Sequence, residues 1–204
     1  MTLSIEELNQ MKQAPVEGML PAIAQRWSPR AYTDKAISVH DLKIVLEAAQ
    51  WAASSSNLQP WRFFVGKKGS ETHRKIFSTL AGGNQAWAGT PDVLLLGAAV
   101  QRDSKGNLNN YALYDLGQAA ASICIQATAL GLHAHSMAGF DHNAAQTIFN
   151  LNEDHAIGAV IAIGYQTDPS ALPNEQLQER EVAPRQRKPL SEIALTDLAT
   201  PFAF

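Results

Sequence analysis

Four arginines stand in two pairs near opposite ends of the chain, Arg26 with Arg30 and Arg185 with Arg187, in segments stiffened by Pro29, Pro184 and Pro189. The usual fate of arginine is solvated surface charge. A guanidinium held rigidly is instead well suited to phosphate, because its planar fork grips two oxygens at once. Between the pairs lies Ser54-Ser55-Ser56-Asn57-Leu58-Gln59-Pro60-Trp61, with three hydroxyls and two amides set between apolar stretches. Such side chains compete with the helical backbone for hydrogen bonds and favour a helix end. Pro60 also biases Gln59 towards an extended conformation. Alone, the stretch reads first as a polar turn; its other reading is a wall of donors facing a polar ligand. Ser28, Asn84 and the Gly139 turn extend the inventory. Together these residues offer a phosphate clamp, hydroxyl and amide partners and exposed backbone, which suits a phosphorylated, polyhydroxylated, flat cofactor.

Several other chemistries find no support. The chain has no Gly-x-Gly-x-x-Gly, Walker A, Gly-x-Ser-x-Gly or His-Glu-x-x-His motif. His133 and His135 can share one strand face, but no third ligand lies near them in sequence, so they read as structural histidines rather than a metal site. Cys124, the only cysteine, sits in the apolar run Ile123-Cys124-Ile125. It can form no intrachain disulfide and reads as a small buried hydrophobe in a reducing, cytoplasmic setting. A net charge of -3 gives no electrostatic case for nucleic acid or an anionic membrane. The longest apolar runs, Val93–Val100 and Ala156–Ile163, fall far short of a membrane span, and the N-terminus lacks a signal pattern. With 204 residues, 46% hydrophobic and 17% charged, residues 1–204 are expected to form a single domain.

The elements that must carry these residues can be placed from pattern. Helical pieces are expected over Ile5–Met11 and Ala22–Trp27, broken at Pro15 and Pro21. Ser38 reads as an N-cap, with Asp41 in place of the usual Glu of a capping box. Apolar residues at 42, 45, 46, 49 and 52 then predict a helix running into the serine stretch. Ser70–Leu80 reads as a helix closed by Gly82-Gly83-Asn84. Asp92–Val100 and Ala156–Gly164 read as buried strands, and the first has the unbroken apolarity of a strand covered on both faces. Arg62–Gly66 and His133–Met137 read as short strands. Leu108 to Leu130 reads as one central helix, with Gly131 just past its C-cap and a small-residue zone at Gly117, Ala119, Ala120 and Ala121. Asp141 is a good N-cap for a helix over Asn143–Asn150. Tyr165 to Lys188 is expected to be a long polar loop or arm, and Pro189–Leu198 a short helix at most. Interleaved strands and helices put the class at α/β or α+β.

Taken in order, these pieces resemble the nitroreductase family of FMN-dependent, homodimeric flavoenzymes. The matching stretches are Arg26-Trp27-Ser28-Pro29-Arg30-Ala31-Tyr32, the run from Leu46 through Ser54-Ser55-Ser56-Asn57-Leu58-Gln59-Pro60-Trp61 to Phe63, Gly139-Phe140-Asp141, and Arg185-Gln186-Arg187-Lys188-Pro189-Leu190. The resemblance implies an α+β fold, a mostly antiparallel sheet flanked by helices, and an intertwined homodimer with FMN at its interface. It implies that Arg26, Ser28 and Arg30 hold the FMN phosphate and ribityl, with Arg185 and Arg187 completing the clamp. Asn84 is then a partner of the flavin ring or ribityl chain, and the Gly139 amide points at flavin N5. Ser54, Ser55 and Asn57 come from the other subunit, and Gln59 and Trp61 either join them or serve as structural supports of their loop. Trp27, Met137 and Ala138 complete the cofactor-binding set. Three positions depart from the pattern frequent in relatives: Ala53 stands for Pro, Ala138 for Glu, and Trp87 near an expected cation.

The same resemblance implies that the cofactor carries the chemistry. NADH or NADPH stacks on the flavin and gives a hydride to N5, then yields its place to a nitroaromatic or quinone in ping-pong fashion. No catalytic side chain is expected. Two other readings stay open: an FMN-binding carrier, sensor or oxygen-dependent flavoprotein, and an interaction module using the Tyr165–Lys188 arm.

Overall fold

The computed structural model describes residues 3–204. Along the chain come α1 (Ile5–Lys12), α2 (Pro21–Gln25), α3 (Val39–Gln50), β1 (Trp61–Lys67), α4 (Glu71–Thr79), α5 (Gly82–Ala88), β2 (Val93–Val100) and α6 (Ala112–Ala129). They are followed by β3 (His133–Met137), α7 (His142–Ile148), β4 (His155–Gly164), α8 (Glu175–Val182), β5 (Leu195–Asp197) and β6 (Thr200–Pro201). The first four strands form one sheet in the order β1-β2-β4-β3, antiparallel at every pairing. The fold is therefore α+β with an antiparallel sheet flanked by helices, as expected.

Strand β2 organises the packing. Unbroken apolar strands are the mark of sheets covered on both faces, which are most often parallel. Here helices cover both faces of an antiparallel sheet, and the same physics applies. Val93, Leu95 and Ala99 pack with α3 and α6 on one side. Leu94 and Leu96 pack with α4, α5 and α7 on the other. All five are fully buried, and a buried Leu or Val contributes about 1.5–3 kcal/mol.

Several element ends differ from the sequence expectations, each for a local reason. Helix α6 starts at Ala112 rather than Leu108, because Asn109 Oδ1 accepts from the Tyr111 amide and Asp103 collects the amides of Lys105 and Asn107 in a separate loop. Its other end is as read, with Gly131 at φ 71°. Pro21 opens α2 instead of breaking it; at the first helical position its missing N–H costs nothing. Gly82-Gly83-Asn84 does not close α4 but forms the first turn of α5, after an extended Leu80 that bridges to Phe140. Ser38 caps α3, accepting from the Asp41 amide at 2.9 Å. Asp41 takes the Ser38 hydroxyl rather than its backbone N–H, so the box is half made.

The largest difference lies in the expected arm. Residues 165–188 contain α8, capped by Asn174 on the Leu177 amide and packed inward through Leu177 and Glu181. Residues 189–201 form a 3-10 turn and the β5–β6 hairpin, whose strand residues are all exposed. Among the described residues no helix is long and apolar enough to cross a membrane.

Candidate functional site

The two arginine pairs, separated by more than 150 positions in sequence, converge. Lys12, Arg26, Trp27, Ser28, Arg30, Arg180, Arg185 and Arg187 line one pocket of about 200 Å³. Three elements bring them there: the end of α1, the bend after α2, and α8 with the chain leaving it. The bend is pinned from both sides. Pro29 O accepts from His135 Nδ1 on β3 at 2.8 Å, which places the ring proton on Nδ1. The Arg30 and Ala31 amides donate to Glu181 Oε1 on α8 at 2.8 and 3.0 Å. Lys12 donates to Ala183 O and sits 4.8 Å over the Trp27 ring. The Trp27 indole, itself buried, donates to Asn9 Oδ1 at 2.8 Å. Arg185 donates to Lys12 O at 2.5 Å, and Arg26 reaches Ser28 Oγ at 3.3 Å.

Six cations thus meet with little to neutralise them. Among the described residues the one ion pair they make is Arg30 with Glu181, at 3.9 Å. The crowding shows in the protonation energetics. Burial, then repulsion from Arg187 and Arg26, pulls Arg185 below its ordinary value. Burial also pulls Lys12 down, Glu181 opposing and Arg30 and Arg185 reinforcing it. An anion entering here relieves that repulsion, and guanidinium forks match the geometry of phosphate oxygens.

Asn84, Met137, Ala138 and Gly139 form a second group. Gly139 O accepts from the Ala81 amide at 3.0 Å and from Asn84 Nδ2 at 2.9 Å. That leaves Asn84 Oδ1 and the Gly139 N–H without a partner among the described residues. A Cβ at Gly139 would stand 2.9 Å from Asn84 Nδ2, so the close approach requires glycine. Ala138 is exposed, whereas the Met137 side chain is buried in the core. Trp87 points inward too, stacked on Tyr32 and tilted against His135. His133 and His135 lie on the same strand face, each pushed down to about 4 by burial. No cluster of three metal-ligating side chains occurs among the described residues.

Ser54, Ser55 and Asn57 lie elsewhere. After α3 the chain forms a 3-10 turn, Ser55–Asn57, in which Ser56, Asn57 and the following Gln59 have φ of 51°, 54° and 48°. Left-handed backbone at non-glycine residues costs about 1–2 kcal/mol each. The turn is held by Asp115 in the first turn of α6, which accepts from the Ser55 amide at 3.1 Å. Ser54 Oγ accepts from the Gln59 amide, and Gln59 Nε2 donates to Asn57 Oδ1 and O, so Gln59 does support the loop. Further along α6, burial pushes the Cys124 thiol up, with the Ser136 hydroxyl and then Arg26 drawing it partly back. Cys124 is two and a half turns beyond Asp115, about 13 Å along α6. Within one chain the residues lining the cationic pocket include none of Ser54, Ser55 or Asn57.

This arrangement can be compared with known proteins. Two overlapping segments, residues 23–86 and 69–165, match the model of the nitroreductase family. The chain belongs to the nitroreductase family. A crystal structure described as an oxidoreductase containing FMN is 35% identical, with a TM-score of 0.83, over 90% of this chain and 94% of that one. A Desulfovibrio desulfuricans structure described as a nitroreductase in complex with FMN is 27% identical, with a TM-score of 0.68, over 89% and 96% of the two chains. An uncharacterised 15.4 kDa protein of Mycolicibacterium smegmatis is 35% identical over 143 residues, 66% of this chain and 95% of its own. In this nitroreductase-family chain the sequence reading missed Lys12, Arg180 and Glu181. For the last two a signal existed: Pro173-Asn174-Glu175 is a helix start and Pro184 a helix stop. Nothing in the local sequence marks Lys12.

Proposed function

We propose that this chain is an FMN-dependent oxidoreductase that takes hydride from NADH or NADPH and passes it, through flavin N5 in ping-pong turnover, to nitroaromatic or quinone-type acceptors. The observation that carries the reading is the pocket of about 200 Å³ ringed by Lys12 and five arginines. A phosphomonoester dianion fits that excess charge better than a neutral ligand does. Family membership supports the flavin, since similar proteins are described with FMN. Bound FMN would supply the redox centre, accepting and releasing two electrons with a proton at N5.

The remaining work falls to the chain. Arg26, Ser28, Arg30, Arg185 and Arg187, joined by Lys12 and Arg180, hold the phosphate. Trp27 backs the pocket wall. The partnerless Gly139 N–H is available as a donor towards the ring, and Asn84 Oδ1 as an acceptor. Met137 and Ala138 contribute backbone at that edge. The cationic field favours an anionic, reduced ligand. His133 and His135, held neutral by burial, are not acids at neutral pH, which agrees with a mechanism needing no side-chain proton donor. Ser54, Ser55 and Asn57 reach the flavin from a second copy of the chain, so the working unit is a homodimer of single-domain chains acting on small molecules in the cytoplasm.

The test begins with a visible spectrum of the purified protein. A colourless protein that also takes up no added FMN would sink the proposal. Anaerobic bleaching of the flavin by NADH or NADPH, and its reoxidation by a quinone or nitroaromatic, is the expected turnover. Substituting Arg26 and Arg187 together by Ala is expected to weaken FMN by roughly a hundredfold or more, since charge-assisted hydrogen bonds contribute about 1.5–3 kcal/mol each. Unchanged affinity would refute the clamp.

A further inference from the structure

Among the described residues Glu181 is the one ionisable side chain beside the cationic pocket with no exposed surface. Burying a carboxylate is costly unless it is paired and hydrogen-bonded. Its burial drives its pKa up, and the Ala31 and Arg30 amides draw it back. Both of those amides converge on a single oxygen, Oε1. The other oxygen has no hydrogen-bond partner among the described residues and stands 3.9 Å from the Arg30 guanidinium. Glu181 does offset charge from Arg30 and Lys12, yet charge alone would not require its hydrogen bonds to go to backbone, as they do. Moreover, its negative charge opposes any anion in the pocket, so keeping it there needs a geometric return. That return is visible in the bend: Glu181 fixes the Arg30–Ala31 side while His135 fixes Pro29 O.

We propose that Glu181 is a positioning residue of the phosphate site: its carboxylate holds the Pro29–Ala31 backbone so that Ser28 and Arg30 face the pocket, and the site thereby selects phosphorylated over unphosphorylated flavin. This rests on reading the pocket as the FMN phosphate site. Position and charge are separable by two substitutions. Glu181→Asp keeps the charge but withdraws the oxygen by a methylene. Glu181→Gln keeps an acceptor oxygen in place but removes the charge.

The experiment titrates flavin-free protein with FMN and with riboflavin, following flavin fluorescence, alongside urea unfolding of each variant. Wild type is expected to prefer FMN. Glu181→Asp is expected to weaken FMN roughly tenfold or more, the effect of leaving two amides poorly met, with riboflavin unchanged. Glu181→Gln is expected to hold FMN within about threefold of wild type, its amide oxygen still accepting; a selective loss there too would assign part of the hold to the Arg30 pair and support the proposal. FMN binding by Glu181→Asp equal to wild type, tighter FMN binding by Glu181→Gln, or equal loss of both flavins would each overturn it. If Glu181→Asp does not fold, Glu181→Gln decides: FMN binding within about threefold of wild type, or a selective loss of FMN, supports the proposal, and tighter FMN binding or equal loss of both flavins overturns it. A wild type with no preference for FMN defeats the phosphate reading itself, whereas a preference that survives in Glu181→Asp defeats only the role of Glu181.

Discussion

A single close approach at Gly139 ties the two halves of its turn together. Asn84 Nδ2 donates to Gly139 O, and the same nitrogen occupies the space a Cβ at 139 would need. Gly139→Ala is therefore expected to cost about 1 kcal/mol by displacing that bond, and Asn84→Ala a similar amount by deleting it. In the double variant the added methyl meets no amide, so the cost of Gly139→Ala should shrink. Urea unfolding of the four proteins measures this coupling; strict additivity would mean that the two residues do not compete for the space. Residue chemistry was the part of the site most legible in sequence. Arginines flanked by prolines announce a rigid fork whatever the fold, and so Arg26, Arg30, Arg185 and Arg187 could be paired from the sequence. Lys12 could not, because a lysine at the end of an amphipathic helix carries no mark of what will pack beside it. Glu181 was hidden for the opposite reason: a carboxylate is expected outside, and only α8's packing turns it inward.

Elements were legible where periodicity is strong and uncertain where caps compete. The apolar run of β2 and the long α6 were plain, whereas α5 was masked by glycines that look like a helix stop but begin a helix. The serine stretch was read rightly as a turn, yet its backbone could not be foreseen, since no sequence rule forces Ser56 to φ 51°. Ser56→Gly is expected to relieve that strain and raise unfolding stability by up to about 1 kcal/mol. If the strained turn presents Ser55 and Asn57 to a ligand, the same change should weaken FMN; a stabilised protein with unaltered FMN affinity would make the strain a scaffold feature. Strand β3 carries its own prediction. His133 and His135 are lowered from 6.5 to about 4. The unfolded chain takes up protons below pH 6.5 while the folded one resists, so their stabilising effect is whole above pH 6.5 and lost as pH falls towards 4. A shift of that size corresponds to about 3 kcal/mol for each residue. Urea midpoints measured across this interval should fall steeply, and His135→Gln should flatten the fall by roughly half. An unchanged slope would show that carboxylates, not these histidines, govern acid sensitivity.

At the scale of the whole molecule, the surface around the serine loop is unusually apolar. Trp51 is 87% exposed, and Tyr111, just before α6, stands out with Leu113 and Tyr114 of its first turn beside Asp115, which holds the loop. Further along, Gly117 and Ala121 are exposed while Ala119 is buried, so the small-residue zone is split between the chain's own core and an open face. The tail adds Leu198 and Phe204, at 99% and 87%. Large exposed apolar side chains of this kind are enriched at interaction surfaces. The proposed partner is a second copy, because that arrangement would bring one chain's serine loop to the other chain's cationic pocket, whose own lining includes none of Ser54, Ser55 or Asn57. Sharing of this kind can be tested without a structure. Let one chain carry Arg26→Ala with Arg187→Ala, and another carry Ser54→Ala, Ser55→Ala and Asn57→Ala. Each homodimer is then defective at both of its sites. In a mixed dimer, one site combines intact arginines from one chain with an intact loop from the other, and its companion site carries both defects. Unfolding and refolding the two variants together should restore strong FMN binding at about a quarter of all sites, half the dimers being mixed and each having one whole site. The refolded mixture would be compared with the two variants refolded apart. Affinity no better in the mixture than in the separate proteins would show that each chain builds its site alone.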